Sequence, residues 1–207
     1  MRTHIIIRLV IGLSLLFFFE EVFSINKSKN DSLCNIDYFR QKKLGFTYDF
    51  AITSENMLYE YETYKPQLFQ IVYSIPLSKK LKRKFYSINI IPQINSALVT
   101  NKFKEMYDFE FGTNFEFSYN YVVNQNIALF TAIGIGPHYI SHDRGRQAGG
   151  FLFSDNFIVG LRYKFDDDTE IKLHFKFRHM SNANMKLPNW GINNFFIGGT
   201  FFKKINF

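Results

Sequence analysis

The stretch "YDFEFGTNFEFSYNY", residues 107–121, decides the fold. Tyr107, Phe109, Phe111, Thr113, Phe115, Phe117, Tyr119 and Tyr121 share one parity, while Asp108, Glu110, Gly112, Asn114, Glu116, Ser118 and Asn120 share the other. Successive side chains on a strand point to opposite faces, so this segment has one nearly all-aromatic face and one polar or small face. A soluble sandwich can bury an aromatic face, but it less readily encloses carboxylates on the other. A small membrane barrel has lipid outside and a polar lumen inside, and suits both faces.

The pattern repeats along the chain. With 26 phenylalanines and 12 tyrosines, mean hydropathy is still slightly negative at −0.13, so apolar and polar residues are interleaved. Strand-like segments are expected at 44–54, 67–78, 84–99, 106–123, 127–141, 151–165, 169–181 and 193–207. Eight strands agree with the even strand numbers of bacterial barrels, and the fold class expected is an all-β, eight-stranded antiparallel transmembrane barrel. Short polar connections at 78–83, 124–125 and 166–168 alternate with longer ones at 55–65, 142–150 and 182–191. Short periplasmic turns and longer outer loops make the odd-numbered strands run outward. The chain closes on Phe207, an aromatic terminus like those of outer-membrane barrels.

The amino terminus supports export. Arg2 and Arg8, the apolar run 9–19 and a small residue at Ser24 read as a signal peptide over 1–24. Residues 25–43 read as a polar tether, and 44–207 as the barrel. The net charge of +7 survives removal of the signal, because Glu20 and Glu21 leave with the two arginines. Export makes nucleic acid an unsuitable partner for that basic balance, and the run 79–84 reads as a solvated turn. Cys34 is the only cysteine, so an intrachain disulfide and a cysteine-based metal site are both excluded. No His/Cys metal spacing and no glycine-rich phosphate loop occurs, and neither metal nor organic cofactor is expected.

The chemistry gathers at the end of the seventh strand, "TEIKLHFKFRHMS". Ile171, Leu173, Phe175 and Phe177 share the lipid parity, which His179 and Ser181 continue; Glu170, Lys172, His174, Lys176 and Arg178 face the lumen, with His174 in an interior hydrogen-bond network. Residues i and i+2 on a strand project side by side roughly 7 Å apart. His179 is therefore placed to take the proton of the Ser181 hydroxyl, the base and nucleophile of acyl transfer. At the outer end of an outward strand, the substrate would come from the membrane. A plain polar cap on a barrel strand is the competing reading.

The run "HMSNANMKLPNWGIN", 179–193, resembles the carboxyl-terminal signature of the lipid A 3-O-deacylase (PagL) family and the related acyloxyacyl hydrolases. The likeness is looser over "GIGPHYIS" (134–141) and "FSDNFIVGLRYKF" (153–165). The resemblance implies an eight-stranded outer-membrane barrel that removes a fatty acyl chain from lipid A or lipopolysaccharide in the outer leaflet. It implies His179 as general base, Ser181 as nucleophile and Asn182 as an oxyanion-hole donor, with Pro188, Asn189 and Gly191 shaping the loop. Characterised members carry a glutamate where this chain has Asn193, which shares the outward parity beside His179. An amide oxygen can orient an imidazole, as in Cys-His-Asn proteases, but brings no charge; exchanging the acid for its amide in serine proteases costs about 10⁴ in rate. Arg144, Arg146 and Lys186 fall in outer loops, where they could meet lipid A phosphates, and Trp190 suits an interfacial anchor. Two rivals remain: a non-catalytic barrel that keeps the family shell for structure, adhesion or lipid binding, and a small channel. The sequence leaves the acyl position cut and the oligomeric state open, a homodimer included.

Overall fold

The computed structural model describes residues 36–54, 63–77, 83–100, 105–143 and 147–205. The expected signal peptide, Cys34, Arg144, Arg146 and Phe207 lie outside them. The eight strands are β1 (Lys43–Ser54), β2 (Thr63–Pro76), β3 (Lys84–Thr100), β4 (Glu105–Val122), β5 (Ile127–Ile140), β6 (Gly150–Lys164), β7 (Thr169–Ser181) and β8 (Ile192–Lys204). Each pairs antiparallel with its sequence neighbour, and β1 pairs with β8 from Lys43↔Lys204 to Ser54↔Asn194, closing the sheet. The all-β barrel expected from the alternation is therefore the fold. Closure removes the free edges that an open sheet would present inside a membrane.

Burial follows the parity. In β7, Glu170, Lys172, His174, Lys176, Arg178 and Met180 are buried, whereas Ile171, Leu173, Phe175, Phe177, His179 and Ser181 lie on the outward side. In β4 the aromatic parity is outside, with Tyr107, Phe109, Phe111, Phe115 and Phe117 exposed, and the carboxylates are inside. The exposed aromatic belt is the lipid face of a bacterial outer-membrane protein.

Inside, every buried carboxylate described here has cationic or hydrogen-bonding partners from other strands, as a low-dielectric interior requires. Lys43 and Arg162 both donate to Glu170, each at 2.5 Å. Asp49 accepts from His174 Nε2 at 2.8 Å, from Gln70 at 2.9 Å and from Lys176. Arg178 donates to both oxygens of Glu110 at 2.8 and 3.1 Å, and the Tyr64 hydroxyl and Asn95 amide complete that carboxylate's shell. Lys172 lies 3.8 Å from Glu116. His174 thus does belong to an interior network, as expected, but its partners reach it from β1. Gly198 makes that contact possible: a Cβ there would sit 1.7 Å from Asp49 Oδ1 and 2.9 Å from His174 Nε2.

Apolar clusters close both mouths of the lumen. At the outer end Tyr64, Ala97, Val99, Ile140, Leu152, Met180 and Ile192 pack together. At the other end Tyr38 and Phe39, on a short 3-10 helix (Ile36–Arg40), pack on Phe85, Val122 and Ala128. Lys43 Nζ lies 3.9 Å from the Tyr38 ring centroid, a cation–π contact. Among the described residues, the filled interior between these two apolar clusters offers ions no continuous polar path.

Two local expectations differ from the structure. Residues 38–40 lie in the stretch read as a polar tether, but their side chains are buried beneath the barrel; the aperiodic composition conceals that Tyr38 and Phe39 form a plug. β2 begins at Thr63, ahead of the expected 67, with Pro66 paired inside the strand opposite Ala97. Tyr64 and Lys65 pair with Val99 and Leu98.

Candidate active site

β7 rises to Ser181 and β8 returns from Ile192, so loop 182–191 roofs the outer end of this hairpin. Register places His179 directly opposite Asn193. Their side chains meet on the outward face, His179 Nδ1 to Asn193 Oδ1 at 2.7 Å. An amide oxygen accepts only, so Nδ1 carries the hydrogen, and in the neutral ring Nε2 presents its lone pair. Ser181 shares that face two residues further out and is half-buried. The structure thus brings His179, Ser181 and Asn193 to one patch. The His179–Asn193 bond is formed, and the serine sits beside the ring without a hydrogen bond to it. Catalytic hydrogen bonds commonly tighten only once substrate is bound.

The loop is built to hold this patch. Ala183 and Asn184 adopt positive φ of 52° and 64°, and Met185 N–H donates to Asn182 O at 3.0 Å to close the turn. Asn189 staples it: its Oδ1 accepts the Asn182 N–H at 2.8 Å and its Nδ2 donates to Asn184 Oδ1 at 2.9 Å. Asn182 is buried, and its Nδ2 donates to Lys186 O at 2.7 Å, which leaves one amide hydrogen for any further acceptor. Pro188 follows a cis peptide bond, and its carbonyl accepts from Ala148 N–H at 2.8 Å.

Gly191 lies against the histidine. Its φ of +80° favours glycine, and a Cβ would fall 2.3 Å from His179 Cε1 and 3.1 Å from Nε2. Its N–H donates to Oε1 of the fully buried Gln147 at 3.1 Å. The loop after β5 therefore braces the loop that covers the histidine. Gln147 escaped the sequence reading because it lies in an aperiodic loop; nothing local marks it.

The surroundings are apolar. Phe195 packs against Phe175 and Phe177 at 5.6 and 5.1 Å between centroids, giving an aromatic wall beneath the patch. Met185, Leu187 and Trp190 are exposed on the loop above it. Lys186 pairs with Asp143 at 3.1 Å, both exposed, so its ammonium already has a protein partner. On the other flank β6–β7 register sets Asp155 opposite His179 and Phe153 opposite Ser181. The parity of "FSDNF" puts that aspartate on the lipid face, a signal legible in the sequence but overlooked.

The family model for lipid A 3-O-deacylase (PagL) matches residues 119–198, from late β4 into β8 and across the whole of this patch. The chain is a closed eight-stranded outer-membrane barrel that resembles this family over that segment. It is similar to the crystal structure of the outer membrane enzyme PagL, with 15% identity and a TM-score of 0.54 over 75% of this chain and 97% of that one. It is also similar to Neisserial surface protein A (NspA), with 8% identity and a TM-score of 0.50 over 79% of this chain and 96% of that one. At those identities the two structures speak for the fold alone, and the family match carries the resemblance in sequence. A search of curated proteins returns no match.

Proposed function

We propose that the outer end of the β7–β8 hairpin is a serine esterase site that removes a fatty acyl chain from lipid A in the outer leaflet. The observation that carries this reading is the His179 Nδ1 to Asn193 Oδ1 bond of 2.7 Å, which leaves Nε2 free on the face shared with Ser181. Ser181 Oγ attacks the ester carbonyl while its proton passes to Nε2. The remaining Asn182 amide hydrogen donates to the developing oxyanion. Collapse breaks the bond to the sugar oxygen, which takes the proton from Nε2, and water then releases the fatty acid from Ser181 by the same route. The wall of Phe175, Phe177 and Phe195 offers an acyl chain an apolar surface continuous with the bilayer core. Residues 1–24 serve as the export signal in this scheme.

Purified protein in detergent micelles, given lipopolysaccharide, should release hydroxylated fatty acid, and Ser181→Ala should release none. A second reading, a non-catalytic surface barrel, is favoured by one feature: Asn193 contributes no charge to the histidine. No fatty-acid release above the protein-free control from either the parent or Ser181→Ala would support it.

A further inference from the structure

His179 has neighbours on both sides, and the proposed esterase uses only one of them. β7 pairs with β8 through His179↔Asn193 and with β6 through Asp155↔His179. The three side chains form a row across the outward face of adjacent strands, and residues directly opposite on antiparallel strands have Cβ atoms about 4.5–5.5 Å apart. The other described outward-facing residues of β6 are Phe151, Phe153, Phe157, Val159, Leu161 and Tyr163, all exposed and apolar or aromatic. Asp155 is the one carboxylate on the outward parity of β6, β7 and β8. It is exposed and makes no hydrogen bond or ion pair among the described residues, so at rest it has not closed onto the ring. A charged side chain facing lipid costs free energy that depends on depth, and here the charge stands opposite the base of the proposed reaction.

We propose that Asp155 is a positioning residue that supplies, from the β6 side, the negative charge that Asn193 cannot supply from the β8 side. The inference rests on reading the patch as an esterase. When the Ser181 proton moves to His179 Nε2, the ring becomes an imidazolium whose Nδ1–H stays bonded to Asn193 Oδ1. The Asp155 carboxylate then faces a cation across one strand spacing at an apolar surface, where attraction is weakly screened. It neither accepts the proton nor touches substrate; the proton continues from Nε2 to the departing sugar oxygen. The family arrangement keeps orienter and charge together in one carboxylate, whereas this chain divides them between Asn193 and Asp155. Among the described residues, the other groups around the ring bring no charge: Phe177 and Ser181 from β7, Asn193 from β8 and Gly191 from the loop. Among the described loop residues, Lys186 and Asp143 pair with each other.

The test uses the full mature chain in micelles with lipopolysaccharide, comparing parent, Asp155→Asn, Asp155→Glu, Asn193→Glu, the Asp155→Asn/Asn193→Glu double variant and Ser181→Ala. Asp155→Asn should lower kcat roughly tenfold or more with KM unchanged, the loss of about one ion pair at the transition state. It should also move the acid limb of the kcat/KM profile to lower pH. Asp155→Glu should retain most of the rate, and Asn193→Glu should restore it in the Asp155→Asn background. A parental rate and pH profile in Asp155→Asn, with Ser181→Ala inactive, would overturn the role of Asp155 while leaving the esterase standing. Should the parent release no fatty acid, the esterase reading fails by itself, and NMR titration of the His179 ring still tests the charge. A lower midpoint in Asp155→Asn than in the parent supports the pairing, and equal midpoints overturn it.

Discussion

If the outer end of the β7–β8 hairpin is the proposed esterase site, replacing Gly191 with alanine should lower its activity sharply while leaving the barrel intact. The added Cβ would start 2.3 Å from His179 Cε1, and ordinary van der Waals contact begins near 3.5 Å, so ring and loop must separate by about 1 Å. The backbone resists supplying that movement alone. Gly191 N–H is tied to Gln147, Pro188 O is tied to Ala148 N–H, and the positive φ costs alanine roughly 1–2 kcal/mol on its own. The ring can yield only by leaving Asn193 Oδ1, where it now lies at 2.7 Å. A displacement of about 1 Å in a catalytic group costs on the order of 100-fold in rate. The strain falls in a loop outside the sheet, so heat-modifiable gel mobility and circular dichroism should match the parent. Initial rates of fatty-acid release from lipopolysaccharide micelles measure the effect. A folded Gly191→Ala protein with the parental rate would show that the close approach of loop to ring has no functional meaning.

Other residues give separate tests. Asn193→Glu should raise the deacylation rate, by up to about 10⁴ if charge at that position limits the reaction, and by much less if Asp155 already supplies it. Gln147→Ala should lower the rate without lowering the unfolding midpoint of the barrel, because the lost bond braces the loop and not the sheet; a parental rate would remove Gln147 from the account. Glu110→Ala leaves the fully buried Arg178 without its bidentate partner, and should cost about 3–5 kcal/mol in urea unfolding from micelles; a change under about 1 kcal/mol would mean that water or another group solvates the guanidinium. In planar bilayers the protein should pass no steady current, given the apolar plugs at both mouths.

How much of this was legible depended on whether a feature has a period. The alternation in 107–121 carries its own geometry, because a one-residue shift would turn every aromatic inward. The sidedness of His179, Ser181 and Asn193 followed from the same parity, and the structure adds the 2.7 Å contact. Aperiodic features were not legible. The Tyr38–Phe39 plug sits in a polar stretch, and its burial depends on the barrel mouth formed around it. Gln147 acts through a loop that meets its partner only across the β5–β6 and β7–β8 connections. Lys186, expected to await a phosphate, spends its charge on Asp143, a pairing that no spacing in the sequence announces. Asp155 lies between these cases: its parity was readable, but its partnership with His179 needed the β6–β7 register.

Mass spectrometry of lipid A tests most directly whether Ser181 is the nucleophile of a lipid A deacylase. A Gram-negative host expressing the parent chain should yield lipid A lighter by one hydroxyacyl group, while equal surface amounts of Ser181→Ala leave the lipid unchanged. Unmodified lipid A from a folded, surface-inserted parent, or the same loss with Ser181→Ala, would contradict the account.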